Sequence, residues 1–143
     1  MTDDPTVAVL RRFFQAVSFV EGERPAYATL HDLFLEGAKL ITASGQVPEV
    51  AGVDQFIAPR QTAVDSGELA WFEEVETDGI TAAFGNVAHR FSRYEKVGRR
   101  HGVDFTGRGM ISTQFVHTPV GWRISSMAWD DERPGLVVPG VGP

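Results

Sequence analysis

The sequence predicts an α+β domain in which N-terminal helices pack on a strongly curved sheet, mixed but mainly antiparallel, that encloses a small pocket. Three observations lead there. Apolar residues recur at helical three- and four-residue steps in the first half of the chain. From Leu69 onward the pattern changes to runs rich in Val, Ile, Thr and aromatic residues. Those runs are separated by short turn signals instead of helix-length spacers. Helices first and adjacent strands afterwards is the α+β order.

Each element has its own reason. Asp3, Asp4, Pro5 and Thr6 open the first helix, with acidic groups at the positive end of its dipole and Thr6 available as a cap. Leu10, Phe13, Phe14, Val17 and Val20 make its buried stripe, and Gly22 ends it. Pro25 opens a shorter second helix with Tyr27, Leu30, Leu33 and Phe34 inward, closed by Gly37. Residues 38–42 form a short strand, and residues 43–52 a loop in which Val47 and Val50 can pair briefly. A third helix covers 53–65, with Phe56, Ile57 and Val64 inward, Pro59 only a turn or so inside it, and Ser66-Gly67 as its stop. Strands follow over 69–76, over 81–84 continuing into 87–96, over 103–116 and over 122–130. Asp78-Gly79, Gly98 and Pro119-Val120-Gly121 are read as the turns between them. Residues 1–134 make one domain, and 135–143, rich in Gly and Pro, a flexible tail.

Composition removes several function classes. With 143 residues, 43% hydrophobic and 22% charged, the chain sustains one core and is neither disordered nor membrane-spanning. It begins with acidic residues instead of a basic and apolar leader, which predicts a cytoplasmic protein. A net charge of −6 argues against nucleic acid. The local cluster Arg90, Arg93, Lys96, Arg99 and Arg100 is interrupted by Glu95 and reads as a solvated strand end. Without cysteine there is no thiolate chemistry, and His31, His101 and His117 lack paired metal-ligand spacing, so neither metal nor cofactor is expected.

The long first helix, Gly52-Val53-Asp54-Gln55-Phe56 at the third, and Gly121-Trp122-Arg123-Ile124 in the last hairpin together resemble the superfamily of nuclear transport factor 2, ketosteroid isomerase and the SnoaL-like polyketide cyclases. Phe84-Gly85-Asn86-Val87-Ala88-His89-Arg90-Phe91-Ser92-Arg93-Tyr94-Glu95 and Trp129-Asp130-Asp131-Glu132-Arg133-Pro134 look like a bacterial branch of it whose activity is unassigned. The resemblance implies a cone-shaped sheet of the cystatin-like kind, helices over its open end, a pocket between them and a homodimer through the outer sheet face. It also excludes the isomerase mechanism, because Thr42 stands where those isomerases carry their base and Phe13 where they carry a tyrosine. The arginine and aspartate trio of limonene epoxide hydrolases has counterparts on paper in Arg90, Arg108, Asp104 and Asp130.

Strand alternation sorts candidates into faces. Val87, His89 and Phe91 form the more apolar set on their strand, which turns His89 toward the pocket as a general base or ligand-orienting donor; a satisfied core histidine is the plainer alternative. Asp130, on the last strand, is its acid/base partner, while Asp131 and Glu132 read as a solvated strand end. Phe13, Trp71, Met110, Ser112, Gln114 and Trp129 are the expected ligand contacts, although Ser112 and Gln114 suit a subunit contact equally. Gly107-Arg108-Gly109 lacks the context of a phosphate loop and marks a bend. Two functions stand. One is binding of a small apolar metabolite in the cone, extending to cofactor-independent cyclase, isomerase or epoxide-hydrolase-like catalysis by His89 and Asp130. The other is a non-catalytic dimeric protein-interaction module.

Overall fold

A computed structural model describes residues 4–139. Asp4, not Thr6, caps the first helix, α1 (Pro5–Val17): its carboxylate accepts the Thr6 amide at 2.9 Å and the Thr6 hydroxyl at 2.6 Å. The predicted start at Asp3 lies outside the described residues. Leu10, Phe13, Phe14 and Val17 are buried as their spacing predicts, but Val20 is exposed because the helix has already ended at Ser18. The Ser18 hydroxyl bonds back to the Phe14 carbonyl and accepts the Glu74 amide at 3.0 Å, so this helix end is fastened to the sheet.

The second helix shrinks to a 3-10 segment, Tyr27–Asp32, and the next strand, β1, spans Phe34–Thr42. Phe34 sits opposite Ile124, and Ile124 donates its amide to the Leu33 carbonyl at 2.8 Å; this tertiary pairing overrides the local helical pattern. Gly37, expected as a helix stop, instead has φ +80° at the register shift between Phe34 and Lys39, an irregularity that glycine accommodates. Then come β2 (Glu49–Ala51), which pairs Val50 with Ile41, and α2 (Val53–Asp65), whose start is tied by the Gly52 amide donating to Gln55 Oε1 at 2.9 Å.

The sheet continues with β3 (Leu69–Phe84), β4 (Val87–Arg100), β5 (Val103–Thr118) and β6 (Gly121–Asp131), in the order β2-β1-β6-β5-β4-β3. It is antiparallel except between β1 and β6. Two expected turns move. Asp78-Gly79 is a register irregularity inside β3, so residues 81–84 complete β3 and the turn falls at Gly85-Asn86. Gly98 stays inside β4, opposite Phe72 and Phe105, and the chain turns at His101-Gly102, both with positive φ.

Alternation gives the sheet its two faces. Ala88, Ser92 and Tyr94 of β4 are buried with Ile111, Thr113 and Phe115 of β5 and Ile124 and Met127 of β6, and most of these share one core with Leu10, Phe13 and Phe14 of α1. This is the inner, helix-covered face. Among the described residues no helix is long and apolar enough to cross a membrane.

Candidate functional site

Where α1 and α2 lean over the inner face, they leave a cavity of about 280 Å³. Aromatic rings make up much of its wall, among them Phe13, Phe56, Phe72, Phe105 and Trp129. They brace one another, with ring centres 6.2 Å apart for Phe13 and Phe56, 5.9 Å for Phe56 and Trp129, and 6.3 Å for Phe72 and Phe105. Such contacts hold ring orientation as well as burying area.

Charged groups enter this apolar space from two sides. On the sheet, Glu74 of β3 lies directly opposite Lys96 of β4, and both line the cavity. One row further along, Tyr94 lies opposite Gly109, which lies opposite Asp131. Asp131 Oδ1 accepts the Tyr94 hydroxyl and, at 3.0 Å, Lys96 Nζ. The two glycines of β5 make this packing feasible: a Cβ at Gly107 would crowd Lys96, and one at Gly109 would collide with the Tyr94 hydroxyl and the Asp130 carbonyl. From the helical side comes Arg60 of α2, its guanidinium 3.6 Å above the Phe56 ring and Nη1 donating to the Phe56 carbonyl at 2.9 Å.

Burial changes the acid–base character of these groups. The Glu74 carboxyl is pushed up to about 7, chiefly by desolvation, with Lys96 and Arg60 opposing and Asp131 reinforcing the rise. Burial and the bond to Asp131 push the Tyr94 phenol up as well, so it remains a donor. Burial also lowers Arg60, although a guanidinium stays charged at neutral pH. A carboxyl near neutrality beside a fixed ammonium is equipped to take and return a proton. Among the described residues no group of His, Asp and Glu is arranged to hold a metal.

No known sequence family matches the chain, and no curated protein does. Solved structures do. A nuclear transport factor 2-like superfamily protein from Salmonella enterica superposes with a TM-score of 0.72 at 15% identity, over 96% of this chain and 92% of its own. The fold is nuclear transport factor 2-like. A Cytophaga hutchinsonii protein of the same fold gives 0.70 at 15% identity over 92% and 100% of the two chains. A Streptomyces avermitilis protein, provisionally named a dehydratase of this group, gives 0.69 at 16% identity over 90% and 94%.

On this nuclear transport factor 2-like sheet the expected site residues divide. Phe13 and Trp129 line the cavity. His89 does not: it is exposed on the outer face, opposite Ala82 and Gln114. Met110, Ser112 and Gln114 alternate with the buried Ile111 and Thr113 and so share that outer face, and Trp71 pairs there with Arg99. Asp130 also points away from the cavity, where Arg133 Nη1 at 2.5 Å holds its carboxyl below the usual range. The epoxide-hydrolase-like trio is dispersed, with Arg90 on Glu76, Arg108 on Glu132 and Asp104 on Arg99.

The cause is a one-residue error of face. The apolar-looking set Val87, His89, Phe91 is outward, and the polar-looking set Ala88, Arg90, Ser92, Tyr94 is inward. Arg90 tolerates this because Glu76 receives it on two oxygens, at 2.7 and 2.8 Å. On β6 a register shift between Gln114 and Phe115 breaks simple alternation, bringing Asp131 inward in place of Asp130. Glu74, Lys96 and Arg60 were missed. The usable signal for the first two was a pair of charges at inward parity on adjacent strands, facing the glycines of Gly107-Arg108-Gly109.

Proposed function

We propose that the protein binds a small, largely apolar molecule in the cone cavity and moves a proton on it without a cofactor, at a carbon next to a carbonyl. Isomerisation or dehydration are the reactions of that kind. The observation that carries this reading is Glu74: a carboxyl with a pKa near 7, lining an aromatic cavity opposite an ammonium group. In its ionised form Glu74 abstracts the proton. Lys96, opposite Glu74 on the cavity wall, supplies the positive charge for offsetting negative charge on the carbonyl oxygen. Asp131 and Tyr94 are positioning residues, since Asp131 holds the ammonium and the Tyr94 hydroxyl holds Asp131. The dehydratase name carried by the Streptomyces avermitilis neighbour agrees with this class of chemistry, and at 16% identity the agreement rests on fold.

Exchange of the α-hydrogens of a small aryl ketone such as 1-tetralone into deuterium oxide, followed by proton NMR, tests the reading. Catalysed exchange is expected to rise with pH through about 7, as the Glu74 base form accumulates, and to fall to the buffer rate in Glu74→Gln. Exchange that survives in Glu74→Gln would overturn the assignment of the base.

A further inference from the structure

We infer that the ligand carries an anionic group, a carboxylate in the simplest case, and that Arg60 receives it. This deepens the reading of the cavity as a ligand site and rests on it.

The argument is one of charge matching within the cavity. Lys96 is paired with Asp131, and Arg100, also on the cavity wall, is paired with Glu68. Arg60 has no carboxylate partner within ion-pair distance among the described residues. It is half-buried, and among the described residues its side chain makes one hydrogen bond, from Nη1 to the Phe56 carbonyl. A guanidinium stripped of water and left unpaired is costly, and an incoming anion removes that cost. The acidic groups that act on Arg60 are the Tyr27 phenol, which burial keeps neutral, Glu49 of β2 outside the cavity, and Glu74 within it; burial favours the neutral form of Glu74 up to about pH 7. Well below that pH the cavity wall holds one positive charge more than negative.

Geometry favours a planar anion. Stacking on Phe56 and bonding to the Phe56 carbonyl fix the guanidinium plane, leaving Nε and Nη2 as a free pair of donors. That edge matches the two oxygens of a carboxylate. Arg60 stands on α2 and Glu74 on β3, so a ligand anchored by its carboxylate on the helical side lays its apolar body among Phe13, Phe56 and Trp129 and turns its far end to the sheet. A cavity of about 280 Å³ limits that body to roughly one ring and a short chain.

The test compares phenylacetate with phenylacetamide, which share shape and differ in charge, by calorimetry on the intact protein. At pH 6 phenylacetate is expected to bind at least about tenfold more tightly, and near pH 7, where Glu74 is partly ionised, its binding is expected to take up protons in the parent and not in Glu74→Gln. Its affinity is expected to fall as pH rises through about 7, because ionised Glu74 then competes for Arg60. Arg60→Gln is expected to abolish the preference while Arg100→Gln keeps it. Should Arg60→Gln not fold, Arg60→Lys serves: charge without the fork is expected to lower the preference several-fold. Equal binding of acid and amide, or a preference unaltered in both Arg60 variants, overturns the inference alone. Binding of neither compound overturns the ligand-site reading and the inference with it. Ketone exchange that fails while phenylacetate binds through Arg60 overturns only the proton-transfer reading.

Discussion

At the scale of single residues, Glu74 has the largest consequence for stability. Its carboxyl ordinarily titrates near 4.5 and is raised to about 7 in the folded protein. Between those values the folded state holds a proton that the unfolded state has lost, so stability falls as pH rises through this window. Glu74→Gln removes the buried charge. The variant is expected to be more stable than the parent at pH 8, by at most about 3 kcal/mol, and no more stable at pH 4.5; urea unfolding at the two pH values measures the difference. The buried hydroxyls of Ser92 and Thr113 find no partner among the described residues. Thr113→Val is therefore expected to stabilise by about 1 kcal/mol, read from the shift in urea midpoint. Residue roles were the least legible part of the sequence. His89 and Tyr94 differ by an odd number of positions on one strand, and composition pointed to the wrong one. The inward set looked too polar for a core because its neutralising partners, Glu76 for Arg90 and Asp131 for Tyr94, stand far away in sequence.

At the scale of elements, β5 sets the shape of the site through what it lacks. Gly109→Ala places a methyl against the Tyr94 hydroxyl and the Asp130 backbone, neither of which can retreat far. A loss of about 3 kcal/mol is expected, together with a displaced Tyr94 that fluorescence or NMR detects. Gly107→Ala meets the Lys96 side chain at Cε, 2.9 Å away, and that flexible chain can swing aside. This variant is expected to lose under about 1 kcal/mol yet shift the pH at which Glu74 titrates, because the opposing ammonium moves. The order of the elements was legible from periodicity and turn residues, although the second helix is a 3-10 segment and β2 lies in the expected loop. Their lengths were not. Asp78-Gly79 and Gly98 carry turn chemistry, but the ladder runs through them, since cross-strand pairing is decided by partners a local pattern cannot see.

At the scale of the whole molecule, the outer sheet face remains to be covered. Ile80, Val87 and Phe91 stand there about half exposed, around His89 and Gln114. The homodimer expected from the resemblance would bury this surface, which also gives a reason for an apolar outward set. Phe91→Glu is expected to preserve the circular dichroism spectrum and convert a dimer to a monomer by sedimentation velocity. A parent that sediments as a monomer at all concentrations removes the dimer proposal. The parallel pairing of β1 with β6 has a consequence in time. β1 lies in the first third of the chain, yet its long-range neighbour in the sheet is the last strand. During synthesis α1 can dock on β3 and β1 can pair with β2, but the other edge of β1 stays unsatisfied until residues 124–129 have emerged. The loop that must close is long, so folding is expected to be slow for a chain of this size and cooperative across both ends, with no stable half-protein along the way.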